Sequence, residues 1–217
     1  MNLLIVGFNR SFSFCKPSVE DKWLPHVDKV SFCVSRSKDF IVSDRAGEKG
    51  FGEWEIGIGE GVYIEQAWVD RQIEPMFQTA LSAGLYPRWS EPTLKNLVRY
   101  LYVLAQAPIP TERTAIIRCD LIHHDDIDPL AGNIFPMWHC WAGLNDRIAI
   151  LEPDAAETYL QRFHQIPEYC KNEQLHAERF LKWVMRGHKY HKVNGMKASR
   201  VRIGGEVKKE KFERGRG

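Results

Sequence analysis

The sequence lacks the signatures of several common chemistries. No G-x-G-x-x-G, G-x-x-x-x-G-K-[ST] or G-x-S-x-G occurs in it. The usual signals of dinucleotide binding, of a phosphate-cradling loop and of a hydrolase nucleophile elbow are therefore missing. No apolar run approaches the roughly 18 residues of a membrane span, so no membrane-spanning segment is expected. The five cysteines, at 15, 33, 119, 140 and 170, form no C-x-x-C pair and no metal-type spacing. An odd, scattered set suits a reducing compartment better than a disulfide framework. Leu3 to Phe8 is apolar but short, and no basic residue precedes it, so no secretory signal is read there. The expected location is the cytoplasm. No internal repeat or low-complexity tract is present.

What is there fits one large domain, or one domain with an appendage. The chain has 217 residues, 44% of them hydrophobic, enough for a sizeable core. Its net charge of +2 hides an asymmetry, because residues 182–217 hold 12 Lys/Arg against 3 Asp/Glu. A basic end on an acidic body points to an anionic partner such as nucleic acid or a lipid surface. Lys189, Lys192, Lys197, Arg200 and Arg202 are the candidate nucleic-acid contacts, and the competing reading is a solvated terminus. Charge alone carries no sequence specificity. The expected division is a domain over residues 1–206 and a basic tail over 207–217.

Hydrophobic periodicity places strands near residues 3–8, 29–35, 115–117, 148–151 and 199–203. Helices are expected over 17–23, 66–83 (with a possible kink at Pro75), from Ser90 to before Pro108, and over 154–163 and 173–185. Ser90 is the expected cap of the third of these, with Pro92 in its first turn. Six glycines between 44 and 61 predict a mobile loop, or a hairpin around 54–58. Strands alternating with helices give an α/β class with a mainly parallel sheet flanked by helices.

The chemistry concentrates between residues 114 and 150. An apolar run ends in Arg118-Cys119-Asp120, and Asn145-Asp146-Arg147 precedes a second run. Open α/β sheets bind ligands outside the carboxyl ends of their strands. Arg118 and Asp120 alternate, so on a strand they share a face; the alternative is a structural ion pair. Asp146 suits a base or acceptor and Arg147 a clamp, or the two belong to a turn. Trp138 and Trp141 just upstream offer flat faces for a sugar or base, unless they are core. Arg10, past the first strand, is a candidate phosphate contact. His123, His124, Asp125, Asp126 and Asp128 are possible metal ligands, though surface loops are often rich in both types. His176 and Glu178 are expected on one helix at i and i+2, on different faces, with Glu178 the candidate for the site.

The order of these motifs resembles one family. A terminal strand leads into G-F-N-R-S-F; R-C-D-L, W-A-G-L-N-D-R-I-A-I, H-A-E-R-F-L and S-R-V-R-I-G-G follow. This is similar to a group of small glycosyltransferase-like proteins of bacteria, phages and large viruses, which carry R-S-F, R-x-D, N-D-R, E-x-F-L and R-V-R in that order. The likeness spans roughly residues 1–206. It implies a GT-A-like, nucleotide-sugar-binding fold and transfer of a sugar to an acceptor hydroxyl, on a glycan or on a modified base in phage DNA. For a phage-encoded chain the location is the host cytoplasm. Asp120 falls where such enzymes keep the last carboxylate of a D-x-D motif that holds Mn²⁺ or Mg²⁺. Arg118 replaces the first, which puts the metal in question. By the same likeness Arg10, Arg118, Asp120 and Arg147 form the donor site, with Asp146 and Glu178 as catalytic candidates. The alternative is a non-catalytic nucleic-acid-binding protein on a degenerate α/β domain.

Overall fold

The computed structural model describes residues 1–42, 49–52, 55–127, 131–202 and 204–212. In chain order the elements are β1 (Asn2–Phe8), α1 (Phe12–Lys22), β2 (Lys29–Val42), β3 (Lys49–Gly52), β4 (Glu60–Glu65), α2 (Gln66–Gln72), α3 (Glu74–Ser82) and α4 (Glu91–Ala105). Then come β5 (Thr114–Arg118), β6 (Leu121–His123), β7 (Asn133–Pro136), β8 (Ile148–Leu151), α5 (Pro153–Leu160), α6 (Ile166–Tyr169), α7 (Ala177–Val184), β9 (Tyr190–Val193) and β10 (Ala198–Arg200).

The main sheet runs β3-β2-β1-β5-β8-β7-β9, with β4 also paired to β2. Pairings of β1 with β2 and β5, of β2 with β4 and of β7 with β9 are parallel. Those of β2 with β3, and of β8 with β5 and β7, are antiparallel. The sheet is thus mainly parallel and flanked by helices, as the alternation of elements implied. β10 and β6 form a separate antiparallel pair.

The strands sort their side chains by parity. Leu4, Val6, Cys33, Ile116, Ala149 and Leu151 face one core, with residues of α2 through α7. Leu3, Ile5, Phe32, Val34, Ala115, Ile117, Ile148 and Ile150 face the other, with Phe12, Cys15 and Val19 of α1. Strands buried on both faces read as continuous apolar runs, which is why β1, β5 and β8 were visible in the sequence.

Several boundaries move. α1 begins five residues before Pro17 and carries that proline in its interior. The helix expected over 66–83 is two, broken at Ile73 beside Pro75, because a proline ring cannot continue the hydrogen-bond ladder. Ser90 stands at the N-cap of α4, but its hydroxyl pairs with Thr93 Oγ1 at 3.1 Å and makes no bond to the helix backbone. Short β6, β7 and β9 were not foreseen. Trp54, Asp128 and Ile203 lie outside the described residues. Among those described, no helix is long and apolar enough to cross a membrane.

Candidate active site

The antiparallel placement of β8 builds the site. Ile117 pairs with Ile148, so β8 starts where β5 ends. Arg118 N donates to Arg147 O at 3.1 Å and continues the ladder by one step. On the other side Cys119 N donates to Val6 O at 2.9 Å, drawing the loop after β1 to the same edge. Arg10, Arg118, Asp120, Asp146 and Arg147 are thereby gathered at the carboxyl edge of the parallel strands.

Asp120 is the buried anchor of this group. Its Oδ1 accepts from Arg118 Nε at 2.9 Å and its Oδ2 from Arg118 Nη2 at 2.6 Å. Arg10 Nη2 lies 3.5 Å from Oδ2. Burial works against the Asp120 charge, but the Arg118 and Arg10 guanidinium groups override it and hold the carboxyl well below its usual range. The Asp120 side chain is only 4% exposed, whereas Arg10 and Arg118 keep 22% and 23%. Arg118 and Asp120 do pair, and part of each arginine stays exposed.

Asp146 and Glu178 form a second acidic locus. The Asp146 carbonyl accepts from both Tyr100 Oη and Tyr159 Oη at 3.0 Å, which fixes the backbone there. Glu178, in the first turn of α7, is buried. Burial, and then the Asp146 charge, push its carboxyl up to about 8, so it is mostly protonated at neutral pH. His176 was expected on the helix, on another face from Glu178. It is instead the extended N-cap residue (φ −134°, ψ 129°), because 171–175 turn rather than wind. Its Nδ1 sits 3.3 Å from Glu178 Oε2. Burial, then Arg179, lower the His176 pKa, so this contact joins a neutral imidazole to a neutral acid. Tyr86 and Trp89 flank the imidazole at 4.2 and 5.0 Å.

The W-H-C-W-A-G-L-N-D segment folds as a tight turn. His139, Trp141 and Ala142 all have positive φ, a costly conformation for residues with side chains. Asn145 holds it, donating from Nδ2 to Trp138 O at 2.7 Å and accepting from Arg147 N at 2.9 Å. Trp138 is core; Trp141 is 62% exposed. Gly143 abuts α7: its neighbour Leu144 N donates to Glu178 O at 3.0 Å, and a Cβ at 143 would overlap that carbonyl.

The basic end is distributed differently from expectation. Arg200 reaches inward to Glu210, Nε to Oε1 at 2.9 Å, and Arg202 Nε lies 3.9 Å from Glu206 Oε2. Lys189 and Lys192 are exposed, although Lys192 Nζ donates to Gly143 O at 3.0 Å. Lys197 is half-buried beside Asp125, which accepts its backbone N–H. Arg147 also meets Glu210, at 3.2 Å. His139 and Glu210 were both missed, and only their later contacts mark them.

No protein-family model matches the sequence, and no curated protein matches it in sequence. Solved structures do match it, among them the following two. Mouse xyloside xylosyltransferase 1 in its apo form has 10% identity over 89% of this chain and 85% of its own, with a TM-score of 0.47. The galactosyltransferase LgtC, in complex with donor and acceptor sugar analogs, has 11% identity over 88% and 73%, with a TM-score of 0.45. At that overlap neither likeness assigns an activity to this chain.

The residues present do not fit a resident divalent ion. Both Asp120 oxygens are engaged by guanidinium groups. No group of three or more His, Cys, Asp or Glu among the described residues converges as a metal site. The His/Asp cluster after Asp120 disperses: His123 stacks edge-on with Trp23, His124 meets Ser199, Asp125 meets Lys197 and Asp126 meets Lys22.

Proposed function

We propose that this chain is a glycosyltransferase moving a sugar from a nucleoside-diphosphate donor to an acceptor hydroxyl. The observation that carries the reading is the juxtaposition of two part-exposed arginines, held by one buried aspartate, with the carboxyl groups of Asp146 and Glu178. Arginine forks suit the oxygens of a diphosphate. In the reaction the acceptor oxygen bonds to the anomeric carbon, and the bond from that carbon to the diphosphate oxygen breaks. Its electron pair leaves on the diphosphate, where Arg10 and Arg118 meet the growing charge. Asp146 takes the acceptor proton, and protonated Glu178 keeps a second negative charge away from the donor. Mn²⁺ or Mg²⁺ has no step here, because the Asp120 oxygens already serve the arginines.

A glycan is the favoured acceptor, since the exposed Trp141 indole suits the face of a sugar ring. The DNA acceptor, and the non-catalytic nucleic-acid reading, rest on Lys189 and Lys192; Arg200 and Arg202 are engaged with acids. The test is release of nucleoside diphosphate from a panel of nucleotide sugars in EDTA, with and without glycan acceptors. Release from one nucleotide family, lost in Asp146→Asn, supports the reading; no release or transfer from any donor, with or without Mn²⁺, rejects it.

A further inference from the structure

Residues 198–202 and 204–212 turn the chain back over the site. Gly204 and Gly205, both at φ 88°, reverse its direction. Arg202 N donates to Glu206 O at 2.9 Å, Lys208 N to Arg200 O at 2.8 Å, and Val201 bridges Val207. Gly205 must be small, because a Cβ would sit 2.7 Å from the Phe14 ring. Farther on, the Phe212 ring meets Trp138 edge-on at 5.5 Å and His124 at 5.8 Å.

Between these anchors one side chain is turned inward. Lys208, Lys209 and Lys211 are exposed, but the Glu210 side chain is 3% exposed. Its Oε1 lies 3.2 Å from Arg147 Nη1 and 2.9 Å from Arg200 Nε, and its Oε2 lies 2.9 Å from His139 Nε2. Two guanidinium groups and an imidazole thus converge on two oxygens borne by one atom. That is also how such groups hold the terminal oxygens of a phosphate. Removing one partner from a buried ion pair leaves an uncompensated charge. Glu210 is therefore expected to leave only as another anion enters.

We infer that Arg147, Arg200 and His139 form a phosphate site, and that Glu210, carried on the strap 206–212, fills it as an internal anion until a phosphate-bearing ligand displaces it. This deepens the proposed reading, in which the incoming phosphate belongs to the donor diphosphate, and makes the strap a gate on donor entry. The same residues answer to free pyrophosphate, whatever reaction the site performs.

The test uses pyrophosphate and the full chain. By calorimetry, Glu210→Gln, which keeps shape and loses charge, is expected to bind pyrophosphate about tenfold more tightly than wild type. Adding Arg200→Ala to Glu210→Gln removes that gain. In wild type, pyrophosphate is expected to speed tryptic cleavage after Lys208, Lys209 and Lys211 several-fold. Equal affinity of a folded Glu210→Gln chain and wild type overturns the inference. So does a tryptic rate indifferent to pyrophosphate, which decides the matter if Glu210→Gln fails to fold. Neither assay reads sugar transfer. A chain that passes both and transfers no sugar keeps its phosphate site and loses the glycosyltransferase reading.

Discussion

Arg118 closes both oxygens of Asp120 in a two-bond fork, while Arg10 touches the same carboxylate from the neighbouring strand end at 3.5 Å. Asp120 is thus the counter-ion that aims two arginines, and its loss leaves Arg118 without its paired carboxylate. Asp120→Ala is expected to lower the unfolding free energy by about 3 kcal/mol or more, read by urea titration. A loss under about 1 kcal/mol would mean that the pair behaves as an ordinary surface ion pair.

Glu178 makes stability depend on pH. Its folded pKa, about 8, stands above the usual carboxyl value of 4.5. The folded state therefore holds the proton more tightly than the unfolded chain. The contribution is fully present below about pH 4.5 and drains away as pH rises through about 8. Glu178→Gln removes that drain. The variant is expected to gain on wild type as pH rises from 5 to 9, by on the order of 3 kcal/mol at the alkaline end. Parallel stability profiles for the two proteins would contradict a buried, protonated Glu178.

Gly143 lies where the 137–147 turn meets the start of α7, and a side chain there collides with the Glu178 carbonyl. Relief requires the helix start or the turn to move. Gly143→Ala should cost about 2–4 kcal/mol and disturb Glu178, so its stability should also lose the pH dependence described above. A fully stable Gly143→Ala protein would show that this junction is looser than the geometry requires.

Trp141 separates function from folding. Its indole is largely solvent-exposed, so Trp141→Ala should change stability by less than about 0.5 kcal/mol. As a platform for the acceptor sugar it should instead raise the acceptor KM roughly tenfold with little change in kcat. An unchanged acceptor KM removes it from the acceptor site.

Some of this was legible in the sequence for plain reasons. β1, β5 and β8 are buried on both faces and appear as apolar runs, and Leu94, Leu97, Val98, Leu101 and Leu104 mark α4 by their spacing. Arg118 and Asp120 stand out because charges abruptly end such a run. β6, β7 and β9, of three or four residues each and without the all-apolar run of β8, are too short for a period to show. His176 looked helical because helix-forming residues surround it, yet the chain turns at 171–175 and makes it a cap. Glu210 lies in K-K-E-K-F-E-R, a run whose charges read as a solvated tail. Its burial is a tertiary fact set by Arg147 and Arg200, whose positions no local pattern reveals. That Arg200 and Arg202 of the basic end meet acids is hidden for the same reason.

The most direct measurement is a thermal-shift screen of nucleoside-diphosphate sugars in EDTA, on wild type and Arg10→Ala. Arg10 is the arginine to remove, because Arg118 alone still satisfies both Asp120 oxygens. A ligand at a hundredfold excess over its Kd stabilises by about 2.7 kcal/mol, or roughly 5 °C or more for a chain of this size. Such a shift is expected with one nucleotide family, without metal, and is expected to be lost or sharply reduced in Arg10→Ala. A shift that appears only with Mn²⁺, or that Arg10→Ala leaves intact, would contradict a donor held by arginine.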